Sequence, residues 1–185
     1  MGKQSNKSDF VFQSITLIGI GLIGSSIARA VKKRNDLVQT VTLTDVNAEV
    51  RQKAKEIGLG DHVLDDVTVA VKDADCVILC TPIGNYAEIM QNISNHLKSG
   101  CIVSDVGSVK RAPIADMSPH IPDGVHLVPG HPIAGTEKSG PESGFAELFE
   151  GRYWLLTPGH ETAPNATQRM RNLFEGIGAM VEEMD

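Results

Sequence analysis

The sequence predicts a doubly wound α/β domain with a mostly parallel sheet, and three observations predict it. Apolar strand-like runs alternate with amphipathic helical stretches from Ser14 to the end of the chain. The early runs are continuous in Val, Ile and Leu rather than alternating, as strands buried on both faces must be. Small-residue turns follow the strands at their carboxyl ends, and strand–helix alternation calls for right-handed crossovers within one open sheet.

The elements follow in order. "SITLIGI" (Ser14 to Ile20) is the first strand, and "LIGSSIARAVKKR" is the helix after it. "TVTLTD" (Thr40 to Asp45) is the second strand. The helical "NAEVRQKAKEIG" comes next, with Asn47 as its cap and Gly58 as its stop. "DCVILC" is a third strand, "CIVSD" a fourth, "VHLVP" a fifth and "RYWLLT" a sixth, with "AMVEEM" as a seventh. Residues 1–13 are polar and read as a flexible tail, and residues 14–185 as one domain.

Composition narrows the function classes. With 41% hydrophobic and 22% charged residues, the 185-residue chain has material for one sizeable core. A formal charge of −6 argues against nucleic acid as the main partner. No apolar run approaches the roughly 18 residues needed to span a membrane, and the N-terminal "MGKQSNKSDF" lacks the apolar middle of a secretory signal. Cys76, Cys80 and Cys101 all lie in strand-like runs, which points to buried reduced thiols rather than a zinc site or a disulfide. A cytoplasmic protein that binds no metal is the expectation.

"GIGLIG" lies between the first strand and its helix. A lone GxGxxG is weak evidence, because glycines gather at turns anyway, but here it meets the structural conditions of a dinucleotide fingerprint. Gly19 permits the tight turn, Gly21 lets the backbone approach a pyrophosphate, and Gly24 lets helix and strand pack closely. Leu22 and Ile23 open the helix, whose free N–H groups and partial positive charge suit phosphates. Asp45 closes the second strand twenty-one residues past Gly24, where an acid that accepts from a ribose 2′-hydroxyl and repels a 2′-phosphate belongs. NAD is therefore favoured over NADP.

Three more strand ends carry small-residue loops: "CTPIG", "SDVGSVK" and "PGHPIAGTEKSG". Open α/β sheets bind ligands outside the carboxyl ends of their strands, so these loops should share one crevice with the glycine turn. Thr81 and Pro82 would line the cofactor's path, or simply end a strand. Ser108 would face the same crevice, or simply cap the helix that it and Lys110 open. His131, between Gly130 and Pro132, should face the nicotinamide end, where an imidazole titrating near neutrality takes a proton from a hydroxyl as its carbon gives up hydride. His62, His96, His120 and His160 sit in polar, turn-like segments, and His126 belongs to the fifth strand.

GIGLIG, CTPIG, DVGSVK and GHPIAGTEKSGPESGFAELFEG, in this order, closely resemble the prephenate and arogenate dehydrogenases of tyrosine biosynthesis, the cyclohexadienyl dehydrogenases included. The resemblance runs from about Ser14 to the last residue. It implies a Rossmann-type fold and NAD-dependent oxidation of prephenate or arogenate, with loss of CO2 and aromatisation of the ring. The product would be 4-hydroxyphenylpyruvate or tyrosine. By motif, His131 looks like the group that bonds the ring hydroxyl and takes its proton, and Ser108 like its partner near the same oxygen. Thr136 and Glu137 look like residues on the substrate side. Family members continue into a helical domain that forms a homodimer and supplies an arginine for the substrate carboxylates. This sequence stops at "VEEMD", so it reads as the cofactor-binding part with that domain absent. Two alternatives fit fewer of the motifs: another β-hydroxyacid-type dehydrogenase, which leaves GHPIAGTEKSG unexplained, and a module that senses NAD(H) without turnover, which leaves His131 and Ser108 unexplained.

Overall fold

A computed structural model describes residues 10–135 and 140–184. Six strands form the main sheet: β1 (Phe12–Ile18), β2 (Val38–Thr44), β3 (His62–Leu64), β4 (Cys76–Leu79), β5 (Ile102–Asp105) and β6 (His126–Leu127). All neighbours are parallel, in the order β3-β2-β1-β4-β5-β6. The order reverses between β1 and β4, so the connections leave in opposite directions there and open a crevice at the carboxyl ends. The expected doubly wound architecture is present.

The two faces of the sheet are separate cores. On β4, Cys76 and Ile78 face a cluster with Ile27, Val31 and Trp154, while Val77 and Leu79 face one with Tyr86, Met90 and Met117. Helix α1 (Leu22–Arg34) covers the first face. Helices α3 (Val67–Val71), α4 (Tyr86–Ile93) and α5 (Arg111–Met117) cover the second, while α2 (Ala48–Glu56) follows β2. The sequence-read caps hold: the Asn47 side chain accepts from the N–H groups of Glu49 and Val50, and Gly58 takes a left-handed conformation just past α2.

Three features differ from the sequence reading. The sixth and seventh strands do not extend the main sheet. They are β8 (Tyr153–Leu156) and β9 (Met180–Glu183) of a second, three-stranded sheet that also holds β7 (Gly130–Pro132). β7 runs antiparallel to β8, and β8 pairs parallel with β9 across helix α6 (Pro164–Gly176). Pro129 has no N–H to give a ladder, so β6 is short and the chain turns out of the main sheet there. The small sheet then buries Trp154, stacked on Phe174 at 3.7 Å between ring centroids, against the first core. Second, His62 begins a strand rather than sitting in a turn, because a three-residue edge strand is too short to show a period. Third, β1 begins at Phe12, ahead of Ser14, because Phe12 is fully buried. Residues 1–9 of the expected tail lie outside the described residues.

The cysteines are buried as expected in two cases. Cys76 and Cys101 are inaccessible, and burial pushes the Cys101 thiol up to about 12 and Cys76 well above its ordinary value. Cys80 is half-buried, with its thiol on the Ile78 carbonyl oxygen at 3.7 Å, and burial raises it too. Thiolates react, not thiols. Native protein at pH 8 should leave Cys76 and Cys101 unlabelled by a thiol reagent until denaturant is added; fast native labelling of either would contradict the strand placement.

Candidate functional site

Four loops meet at the carboxyl end of the main sheet, and each touches the next. Gly19 has φ +99°, and a Cβ there would lie 2.8 Å from the Cys80 backbone and 2.9 Å from the Thr81 Cγ2. The glycine turn thus rests on the loop after β4. A Cβ on Gly24 would overlap the Gly19 carbonyl oxygen, so helix α1 can start this close to β1 only without a side chain. Nothing lies within 4 Å of a Cβ placed on Gly21. Of the three glycines, the one expected to face a pyrophosphate is the one facing open space.

Asp45 stands at the end of β2. Its Oδ2 accepts from the Ile20 N–H at 2.8 Å and its Oδ1 from the Asn47 N–H at 2.9 Å, which fixes the carboxylate against the glycine turn. Arg51 donates to the carbonyl oxygens of Asp45 (2.6 Å) and Val46 (3.0 Å). Gly19, Gly21, Asp45, Thr81 and Pro82 line one cleft of ≈ 450 Å³, within the size range of small-molecule sites. Leu22 and Gly24 are buried behind it and Ile23 packs against the first core, so they contribute backbone rather than lining. The Thr81 hydroxyl is buried with no partner among the described residues. A buried hydroxyl left unpaired costs free energy, so it suits a ligand's hydrogen-bonding group. The open backbone at Gly21, the fixed carboxylate and the unpaired hydroxyl together fit a dinucleotide.

The end of β5 and the loop after it carry two residues that sequence reasoning did not assign to the site. Asp105 is fully buried and ion-paired to Lys110 (Oδ2 to Nζ, 2.6 Å). Asp105 Oδ2 also accepts from the Gly107 N–H at 2.9 Å, and Oδ1 accepts from the Gly130 N–H at 3.1 Å. Lys110 donates in turn to the Gly130 carbonyl oxygen at 2.5 Å. The pair therefore holds Gly130 by both its N–H and its C=O. Gly130 must be glycine, since a Cβ would lie 2.8 Å from the Trp154 Nε1 and 3.0 Å from the Asp105 carbonyl oxygen. One signal was available: a carboxylate ending an otherwise apolar strand, with a lysine five residues on.

His131 follows inside β7, opposite Leu155, and is half-buried. It lies in a strand rather than just after one. Burial, and then the Lys110 charge, hold its imidazole below the ordinary pKa, against an opposing pull from Asp105. Ser108 is exposed two residues ahead of Lys110, the N-cap of α5, and that helix has no side-chain cap, so the capping role does not apply. Gly107 packs on Ile83, joining this loop to the one after β4. His131 and Ser108 are not among the residues lining the ≈ 450 Å³ cleft; His131 stands on β7 and Ser108 on the loop after β5. Thr136 and Glu137 lie outside the described residues. A second cavity of ≈ 470 Å³, between α5, β6 and residues 157–162, holds none of the expected site residues.

The family described as "Prephenate dehydrogenase, nucleotide-binding domain" matches residues 27–183. The chain belongs to this family. It is 41% identical over 174 residues to the cyclohexadienyl dehydrogenase of Zymomonas mobilis, covering 94% of this chain and 59% of that one. It is 33% identical over 172 residues to the prephenate dehydrogenase of Bacillus subtilis, covering 92% and 46%. The fold matches prephenate dehydrogenase from A. aeolicus, solved with hydroxyphenyl propionate and NAD+, with a TM-score of 0.85 at 30% identity over 94% of this chain and 60% of that one. Synechocystis arogenate dehydrogenase gives the same TM-score at 28% identity, with 93% and 59% covered. The chain thus spans about half to three-fifths of the length of these relatives. This nucleotide-binding domain carries the glycine turn upstream of the matched residues, intact.

The depressed imidazole has a sign that can be tested. Folding favours its neutral form, so this contribution to stability is fully present above the ordinary pKa and is lost as pH falls through the lowered one. The His131 ring resonance should titrate below the ordinary imidazole value. Replacing Lys110 with Met should raise the His131 midpoint toward the ordinary value. A His131 midpoint above 6.5 in the unmodified protein would contradict the assigned environment.

Proposed function

We propose that this domain binds NAD at the crevice and supplies the general base of an NAD-dependent dehydrogenase acting on prephenate or arogenate in tyrosine biosynthesis. The observation that carries the proposal is His131, half-buried on a strand fixed by the Asp105–Lys110 pair beside the loops of the cleft, with burial favouring its neutral form. Family membership supplies the reaction class, and the relatives' names supply the two substrates.

Each residue's part follows from its position. Gly21 and the first N–H groups of α1, from Leu22 and Ile23, receive the pyrophosphate, with Gly19 and Gly24 shaping the turn. Asp45 accepts from the ribose hydroxyls, and Thr81 and Pro82 border the path toward the nicotinamide. When bound, NAD supplies the hydride acceptor. The neutral His131 imidazole accepts the proton of the ring hydroxyl, and Ser108 orients the same oxygen. By the family resemblance, Thr136 and Glu137, which lie outside the described residues, contact the substrate. Burial, and then the Lys110 charge, favour the neutral form of the base. The remaining substrate contacts, a homodimer and a cytoplasmic location belong to the same proposal for the longer protein. No helix among the described residues is long and apolar enough to cross a membrane.

Two measurements test the reading. By calorimetry, NAD should bind at least about tenfold more tightly than NADP, since each 1.4 kcal/mol of repulsion at the 2′ position is a factor of ten. Asp45→Ala should narrow the gap, and equal affinities in the unmodified chain would remove the role of Asp45. In a protein with the relatives' full length, His131→Asn should lower kcat by about 10² to 10⁴, the usual worth of a general base, with NAD affinity nearly unchanged. A near-normal kcat would reduce His131 to a structural residue.

A further inference from the structure

The GPESGFAELFEG motif has no part in the chemistry above, yet its described residues lie against the cofactor helix. Gly144 packs so closely on α1 that a Cβ there would overlap the Ser25 Oγ and lie 2.8 Å from the Ser26 backbone nitrogen. Ser25 and Ser26 are themselves fully buried. The Phe145 N–H donates to the Ser26 Oγ at 3.1 Å, and Arg29 Nη1 reaches the Pro141 carbonyl oxygen at 2.8 Å. Around these buried contacts stand half-exposed ion pairs, Lys33 with Glu147 (2.8 Å) and, from α2, Lys53 with Glu142 (3.1 Å). Such pairs are each worth little and serve mainly to orient. The specific contacts are Gly144 on Ser25 and Phe145 on Ser26.

Ser25 and Ser26 lie one helical turn from Leu22 and Ile23, the residues that open α1. The chain that leaves the main sheet at Gly130 with His131 thus returns to rest beside the same helix end. We propose that residues 140–145 are a clasp that couples dinucleotide binding at the N-terminus of α1 to the position of β7, the strand that bears His131, with Gly144 and Ser26 as its positioning residues. This rests on the cofactor reading above. Holding the helix end with a ligand lowers the cost of docking the clasp on the next turn, and the effect must be reciprocal. If NAD binds the docked form α-fold more tightly than the undocked one, saturating NAD lowers the equilibrium constant for opening the clasp by α, and a permanently undocked variant binds NAD α-fold more weakly. A contact that only stabilises the fold has no such equality.

The test uses this chain, with NAD affinity from calorimetry and amide exchange of residues 140–145 by mass spectrometry, with and without saturating NAD. In the unmodified protein, NAD should slow exchange across Gly144 and Phe145 by about tenfold, within the usual range of coupling between sites. Gly144→Ala should make that segment exchange fast whether or not NAD is present, leave β4 and β5 protected, and weaken NAD by the same factor. Ser26→Ala, which keeps the close packing and removes one acceptor, should shift both readouts in the same direction by a smaller, matched factor, and it carries the test if Gly144→Ala does not fold. Exchange unaffected by NAD in a protein that binds it would overturn the clasp and leave the cofactor reading intact, as would undocked variants with unchanged affinity. No NAD binding by the unmodified protein would overturn both.

Discussion

A buried carboxylate at the end of a central strand is the constraint on which the candidate site depends. Asp105 cannot be left uncompensated in the core, because an isolated buried charge costs several kcal/mol. Its compensation comes from Lys110, from the Gly107 N–H and from the Gly130 N–H, which between them draw two loops onto one side chain. Lys110 then closes the arrangement through the Gly130 carbonyl. Gly130, just before His131, is held by both its N–H and its C=O by an ion pair whose carboxylate is fully buried. Replacing such a pair with apolar residues is often neutral for stability. What the pair provides here is placement: it fixes the strand bearing the imidazole, whose neutral form burial and then the Lys110 charge favour.

From that point contacts run round the carboxyl ends of the strands. Gly107 meets Ile83, the loop after β4 meets Gly19, and Gly24 lets α1 start against Gly19. Gly144 brings the chain beyond His131 back onto α1. In three of these four contacts a missing Cβ lets backbones or side chains approach within ordinary van der Waals distance, and in the first Gly107 would need Ile83 to give way. The glycines are positional, and Gly21 differs from them by facing empty space, as its proposed contact with a pyrophosphate requires. A doubly wound sheet gathers these loops at one end as a matter of topology, and the glycines decide how closely they meet.

Much of this was legible before any coordinates. Continuous apolar runs identified the main strands, and the cap at Asn47 and the stop at Gly58 located α2 because both rest on local backbone chemistry. Gly19, Gly21, Asp45, Thr81 and Pro82 were drawn from three separate segments, and the structure gathers them in one cleft. The second sheet was not legible. Whether "RYWLLT" joins the main sheet or pairs with Gly130–Pro132 is decided by contacts some twenty residues apart, and periodicity sees only neighbours. Asp105 and Lys110 were not assigned to the site for a related reason. A charged pair reads as solvent-exposed until burial is known, so attention went to Ser108, which is exposed, rather than to Lys110, whose side chain is 17% exposed.

The most direct test of this account is a double-mutant cycle on Asp105 and Lys110, read as unfolding free energy in urea with Asp105→Asn, Lys110→Met and the double variant. If the pair is the buried anchor described, each single change leaves a partner uncompensated, at about 3–5 kcal/mol for a pair that is fully dry. The double variant should then recover part of that loss, giving a coupling of about 1–3 kcal/mol. Single changes whose effects simply add, to within about 0.5 kcal/mol, would contradict it and show that Gly130 and His131 are held in place by something else.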